Sequence, residues 1–135
     1  LESSECLKIA HVLASDGIFD YLNVTAGTSA GLSGSTHIVP SMAFEAGYTA
    51  PLAAAIRSEV DLPVLVTGRI NKPQIAEKIL AAGQADLCGM TRALIADPLM
   101  PLKAQSGHTE IIRACVAASR SSGTIAAPSS LWSRL

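Results

Sequence analysis

Pro63-Val64-Leu65-Val66-Thr67-Gly68-Arg69-Ile70 is a short apolar run closed by a polar turn. Leu87-Cys88-Gly89-Met90-Thr91-Arg92-Ala93-Leu94-Ile95-Ala96-Asp97-Pro98 repeats the arrangement after one helix-sized segment. Each half reads as a β-strand that ends in a turn carrying glycine and arginine. Two successive βα turns of this kind can offer backbone N–H groups and guanidinium charge to a single phosphate. In a (β/α)8 barrel, the loops after strands 7 and 8 frequently build such a site.

Working outward, helix and strand signals alternate. Residues 73–82 read as a helix, with Asn71 as its cap, Pro73 in its first turn and Gly83 as its stop. Residues 48–60 read as another, with Pro51 tolerated in the first turn and Ala53, Ile56 and Val60 at core spacing. A strand is expected at 20–25. Before it, Ser3 and Ser4 can cap a helix running to about Asp16, with Leu7, Ala10, His11 and Ala14 as its buried stripe and Gly17 as its stop. Residues 26–41 are rich in Gly, Ser and Thr, lack a helical period, and read as a long functional loop. A third strand at 85–89 precedes a short helix near 92–95, a helix from Pro98 to near Gly107, and a last one over 108–116. Strands that are apolar throughout imply burial on both faces, and helix-sized connections imply a parallel sheet. The fold class is therefore α/β. Three strands cannot close a barrel, so the chain reads as a small open sheet or as part of a larger barrel.

The 135 residues suit one domain or part of one. Nearly half are hydrophobic, enough for a core, while a net charge of −1 gives no electrostatic reason to expect nucleic acid or an acidic membrane as partner. No apolar run is long enough to span a bilayer, and no secretory signal is visible. Cys6, Cys88 and Cys115 are odd in number and widely spaced, which points to a reducing cytoplasm rather than a disulfide framework. His11, His37 and His108 are too scattered to suggest a metal site.

Four words, Asp20-Tyr21-Leu22-Asn23-Val24, Leu65-Val66-Thr67-Gly68-Arg69-Ile70, Gly83-Gln84-Ala85-Asp86-Leu87 and Met90-Thr91-Arg92-Ala93-Leu94-Ile95-Ala96-Asp97-Pro98, occur in one order with fixed gaps. Together they resemble the C-terminal part of the barrel of the Old Yellow Enzyme family. The closest branch is that of the NADH:flavin oxidoreductases, with 2,4-dienoyl-CoA reductase and trimethylamine dehydrogenase. The resemblance implies the C-terminal portion of a (β/α)8 TIM barrel over residues 1–116. It implies an FMN-dependent NAD(P)H oxidoreductase that passes hydride through flavin to an activated alkene. It places the FMN phosphate at Thr67, Gly68 and Arg69 in the first turn and at Gly89, Met90, Thr91 and Arg92 in the second. Thr91 stands where the family usually has Gly or Ala. Its cofactors would be FMN, with NAD(P)H as reductant, and its partners a small-molecule substrate.

Ile112-Arg113-Ala114-Cys115-Val116 resembles the start of that branch's 4Fe–4S segment, but the next two ligand positions hold Ala118 and Ser122. One thiolate cannot hold a cubane cluster, so the cluster is expected to be lost, with Cys115 remaining. Residues 117–135 read as a divergent, disordered tail. Ala117-Ala118-Ser119-Arg120 can be encoded by bases that spell Gly-Cys-Lys-Gln in a shifted frame, consistent with a frame change.

Each assignment has a plainer counterpart. Arg69 and Arg92 are either solvated side chains or phosphate contacts. Gly68 and Gly89 allow tight turns and also permit close approach to an anion. His37 is a weak catalytic candidate in the 26–41 loop, where the reductase branch carries a proton-transferring His; Ser29 lies nearer that position by count. Asp97-Pro98 ends a helix, Cys88 packs as a small hydrophobe, and Met42 and Phe44 pack the loop. Beside the enzyme fragment stand two alternatives: a non-catalytic half-barrel that pairs with itself, and a (β/α) module for another phosphorylated ligand.

Overall fold

The Val64-Leu65-Val66-Thr67 segment is β-branched at all but one position, which favours an extended backbone, and it forms the central strand. The structure, a computed structural model, describes residues 2–115. They form α1 (Ser3–Ser15), β1 (Leu22–Val24), α2 (Leu32–Ile38), α3 (Ala50–Arg57), β2 (Val64–Thr67), α4 (Pro73–Ala81), β3 (Leu87–Gly89), α5 (Thr91–Ala96) and α6 (Met100–Gln105), then a 3-10 turn at Thr109–Ile111. The sheet has the order β1-β2-β3 and both pairings are parallel. Val24 pairs with Val66, and Thr67 with Gly89, so the three strands end at one level. The expected tail, 117–135, lies outside the described residues.

One face of the sheet carries the core. Val24, Val64 and Val66 pack with Ala50 and Ala53 of α3, Ala76 and Ile79 of α4, and Ile70 and Ala85. Cys88 packs against this cluster as a small apolar group, and burial pushes its thiol pKa up. Because successive strand residues alternate faces, the register sets Asn23, Leu65 and Leu87 on the opposite face. Asn23 is exposed and Leu87 is 48% exposed. The expectation of burial on both faces is thus corrected: helices cover one face, and no described residue covers the other to the same degree.

Several local expectations also change. Residues 32–38 are helical, although no amphipathic period announces it. Contacts within the loop define this helix. A Cβ on Gly27 would meet Ile38 N at 2.6 Å, and one on Gly34 would meet Thr28 Cγ2 at 2.4 Å. The cap residue of α4 is Lys72, not Asn71, whose Nδ2 instead donates to Cys115 O at 3.4 Å. Where a helix was expected over 108–116, the described residues, to Cys115, form a 3-10 turn at Thr109–Ile111. His11 is exposed, because α1 buries Ala10 and half-buries Cys6, Leu7, Leu13 and Ala14. Met42, expected to pack the loop, is 64% exposed.

Two carboxylates pin the connections. Asp86 accepts from Arg57 Nε at 3.0 Å and from Val64 N at 2.9 Å, tying the start of β2 to the α4–β3 turn. Asp97, 3% exposed, accepts from Lys103 Nζ at 2.6 Å, Arg113 N at 2.9 Å and Leu99 N at 3.2 Å. It therefore does more than end α5: it anchors the segment that leads to Cys115. The Lys103 ammonium above all, then the Arg113 N–H, holds the Asp97 carboxyl below its ordinary pKa. The Val64 N–H, with Arg57, does the same for Asp86.

A carboxyl whose folded pKa is depressed contributes stability that is complete above its unfolded pKa and is lost as pH falls through the folded one. Melting temperature should therefore fall steadily as pH drops below about 4. Asp97→Asn should melt lower at pH 7 and show a shallower acid limb; an unchanged limb contradicts the assignment. Ile79→Ala should cost about 2–5 kcal/mol in a urea melt, as a buried isoleucine truncation.

Candidate functional site

The turn after β2 is shaped by a missing side chain. A Cβ on Gly68 would lie 2.2 Å from Thr49 Oγ1 and 2.5 Å from Thr49 Cγ2, so Thr49 fills the space that any other residue at 68 would need. Thr49 is fully buried, and its Oγ1 donates to Thr67 O at 3.2 Å. The next residue, Arg69, has φ 50, and among the described residues it is the non-glycine with positive φ. Gly47 N donates to Arg69 O at 3.3 Å, and Arg69 Nη1 donates to Phe44 O. The turn is thus gripped from the 44–49 segment.

The turn after β3 repeats the device. A Cβ on Gly89 would lie 2.3 Å from Thr67 Oγ1, which itself donates to Asn23 Oδ1 at 3.2 Å. Gly89 therefore lets the neighbouring strand ends close on each other. Two residues on, α5 begins, and Arg92 Nη1 and Nη2 both donate to Pro40 O, at 3.1 and 3.2 Å.

Thr67, Gly68, Arg69, Gly89, Met90, Thr91 and Arg92, the seven residues expected at a phosphate site, all line one cavity of about 460 Å³. His37, Tyr48 and Cys115 line it too, while Ser29 and His108 do not. Its lining holds two guanidinium groups and no carboxylate, so its field favours anions. The Arg69 Nε is, among the described residues, the buried side-chain polar atom left without a partner. A buried N–H donor without an acceptor is costly, and an oxygen acceptor, neutral or anionic, relieves it. The residues present thus fit a phosphate group.

Both arginines also hold backbone carbonyls of the 40–44 loop, which the sequence reading did not foresee. Neither is exhausted by this: Arg92 spends two of its five N–H donors on Pro40. The His37 ring stands edge-on to Phe44 at 4.9 Å and 6.3 Å from the Tyr48 ring, and the Tyr48 hydroxyl donates to His37 O. Burial raises the Tyr48 pKa, with nearby Arg92 opposing, so the phenol stays protonated at neutral pH. Sequence reasoning missed Thr49 and Tyr48. The Tyr-Thr pair before Pro51 gave the only signal, and it reads equally well as the entry to a helix.

Gly68→Ala should destabilise the chain by about 1–3 kcal/mol through overpacking, and Thr49→Ala in the same chain should recover part of that loss. Urea melts of the two single variants and the double variant measure this. Strict additivity would contradict the contact.

The sequence profile of the NADH:flavin oxidoreductase / NADH oxidase family matches residues 35–111. The chain is similar to a metal reductase of Desulforamulus reducens, 51% identical over 70 residues, which are 52% of this chain and 10% of that protein. It is similar to an NADH oxidase of Thermoanaerobacter brockii, 40% identical over 109 residues, 81% of this chain and 16% of that one. Among solved structures, a 2-naphthoyl-CoA reductase in complex with 2-naphthoyl-CoA superposes with a TM-score of 0.78 at 27% identity, over 89% of this chain and 18% of that one. The chain thus spans less than a fifth of the length of each, and its three strands are a section of a (β/α)8 barrel. With more than half of its residues inside the profile and the strand order in place, the chain belongs to the NADH:flavin oxidoreductase / NADH oxidase family.

Proposed function

We propose that this chain supplies the phosphate end of an FMN site in an FMN-dependent NAD(P)H oxidoreductase. The single observation that carries the reading is the convergence of both Gly/Arg turns on one carboxylate-free cavity with an unpartnered buried Arg69 Nε. Arg92, oriented by Pro40 O, keeps donors available for phosphate oxygens, and Arg69 brings a second guanidinium charge to the same lining. Gly68 and Gly89 let the backbone approach closely. When bound, the flavin ring supplies the hydride transfer from NAD(P)H to an acceptor such as an enoyl or dienoyl group. The chain's own residues bind and orient. His37, on the cavity wall, is the candidate for moving a proton. Cys115 also lines the cavity, as a single thiol, and the loss of the branch's 4Fe–4S cluster remains part of this reading. Cytoplasmic residence belongs to the same proposal; among the described residues no helix is long and apolar enough to cross a membrane.

Arg69→Gln and Arg92→Gln should each weaken FMN binding by about tenfold or more, the worth of a charge-assisted hydrogen bond. Riboflavin affinity should be unaffected. Flavin fluorescence titration reads both ligands, and equal loss for both would refute a phosphate contact.

A second reading follows from the sheet. The face carrying Asn23, Leu65 and Leu87 is open, and β1 and β3 each have an unpaired edge among the described residues. Copies of the chain that pair through this face would cover it. Size-exclusion chromatography with light scattering decides: a concentration-dependent dimer supports pairing, while a monomer with a cooperative melt removes it.

A further inference from the structure

Thr49 is a buried hydroxyl in a place where valine would fill the same volume, which invites a reason for the oxygen. Its Oγ1 donates to Thr67 O, the last carbonyl of β2. The peptide that joins Thr67 to Gly68 is planar, so its C=O and N–H point in opposite directions. Anchoring the carbonyl on Thr49 therefore aims the Gly68 N–H away from Thr49. Gly68 lines the cavity and Thr49 does not. At the residue after Gly68 the chain enters the left-handed region at Arg69, where Gly47 N holds the Arg69 carbonyl from the same segment as Thr49.

We propose that Thr49 is a positioning residue for the anion site. Its hydroxyl fixes the Thr67–Gly68 peptide plane, and with Gly47 it holds Arg69 in its left-handed conformation. The Gly68 amide and the Arg69 side chain are thereby presented to the anion together. The inference rests on the phosphate reading above, but it assigns the geometry of that site to a residue that touches no ligand. The shape of Thr49 excludes a side chain at 68, and its oxygen directs the peptide.

Two variants separate these roles. Thr49→Val keeps the shape and removes the donor; Thr49→Ser keeps the donor and trims a methyl. In the full chain, hydrogen exchange of the Gly47 amide reports whether the turn is still gripped, with no ligand required. FMN and riboflavin titrations report the phosphate contribution. Thr49→Val should lose about tenfold in Gly47 protection and a similar factor in the preference for FMN over riboflavin, with riboflavin affinity unchanged. Thr49→Ser should keep both, and the two variants should melt within a few degrees of each other. Retained Gly47 protection or retained FMN preference in Thr49→Val overturns the proposal. A parent chain that does not prefer FMN over riboflavin overturns the phosphate reading itself, and Gly47 exchange then still shows whether the hydroxyl sets the turn.

Discussion

Thr49 and a Cβ at position 68 cannot occupy the same space, and much of the site follows from that exclusion. With glycine at 68, the segment before α3 can lie directly against the end of β2. Lying there, it donates to Thr67 O and Arg69 O and accepts from Arg69 Nη1. Gly89 repeats the exclusion one strand over, against Thr67. Each glycine is thus required by its protein neighbour before any ligand is considered. The freedom to let an anion approach comes with the same absence of a side chain.

The core and the site are mechanically joined. Ile79 of α4 sits in the apolar cluster, and its Cδ1 lies 3.0 Å from where a Cβ on Gly47 would stand. The side chain that stabilises the sheet thereby also seats the residue that grips Arg69. At the other rim, Asp97 holds the Arg113 amide and Asn71 holds the Cys115 carbonyl, which fixes the last described residues beside the cavity. The open sheet face belongs to the same architecture. In a closed barrel, positions such as Asn23, Leu65 and Leu87 point inward and are covered by facing strands.

The strands, the helices α3 and α4 and the two turns were legible because their signals are local. β-branched runs, Pro51 and Pro73 in first turns, and the stop at Gly83 with φ 65 all act within a few residues. The helix at Leu32–Ile38 was illegible because it packs on its own preceding loop, Gly34 against Thr28 and Ile38 against Gly27, a contact with no period. His11 matched a helical spacing, yet α1 meets α3 rather than the sheet, and His11 stays exposed. The two arginines were placed correctly at strand ends, but their bonds to Pro40 and Phe44 span long stretches of chain and leave no sequence mark. Thr49 was hidden for the same reason: its partners are Thr67 and Gly68, and nothing near it in sequence announces them.

The claim on which the account turns is that the two Gly/Arg turns act as one anion site. Amide chemical shifts followed during titration of the full chain with inorganic phosphate test it most directly. Gly68 and Arg69 in one turn and Gly89 to Arg92 in the other should shift together along a single binding curve. Shifts confined to one turn, or two curves with different midpoints, would contradict it.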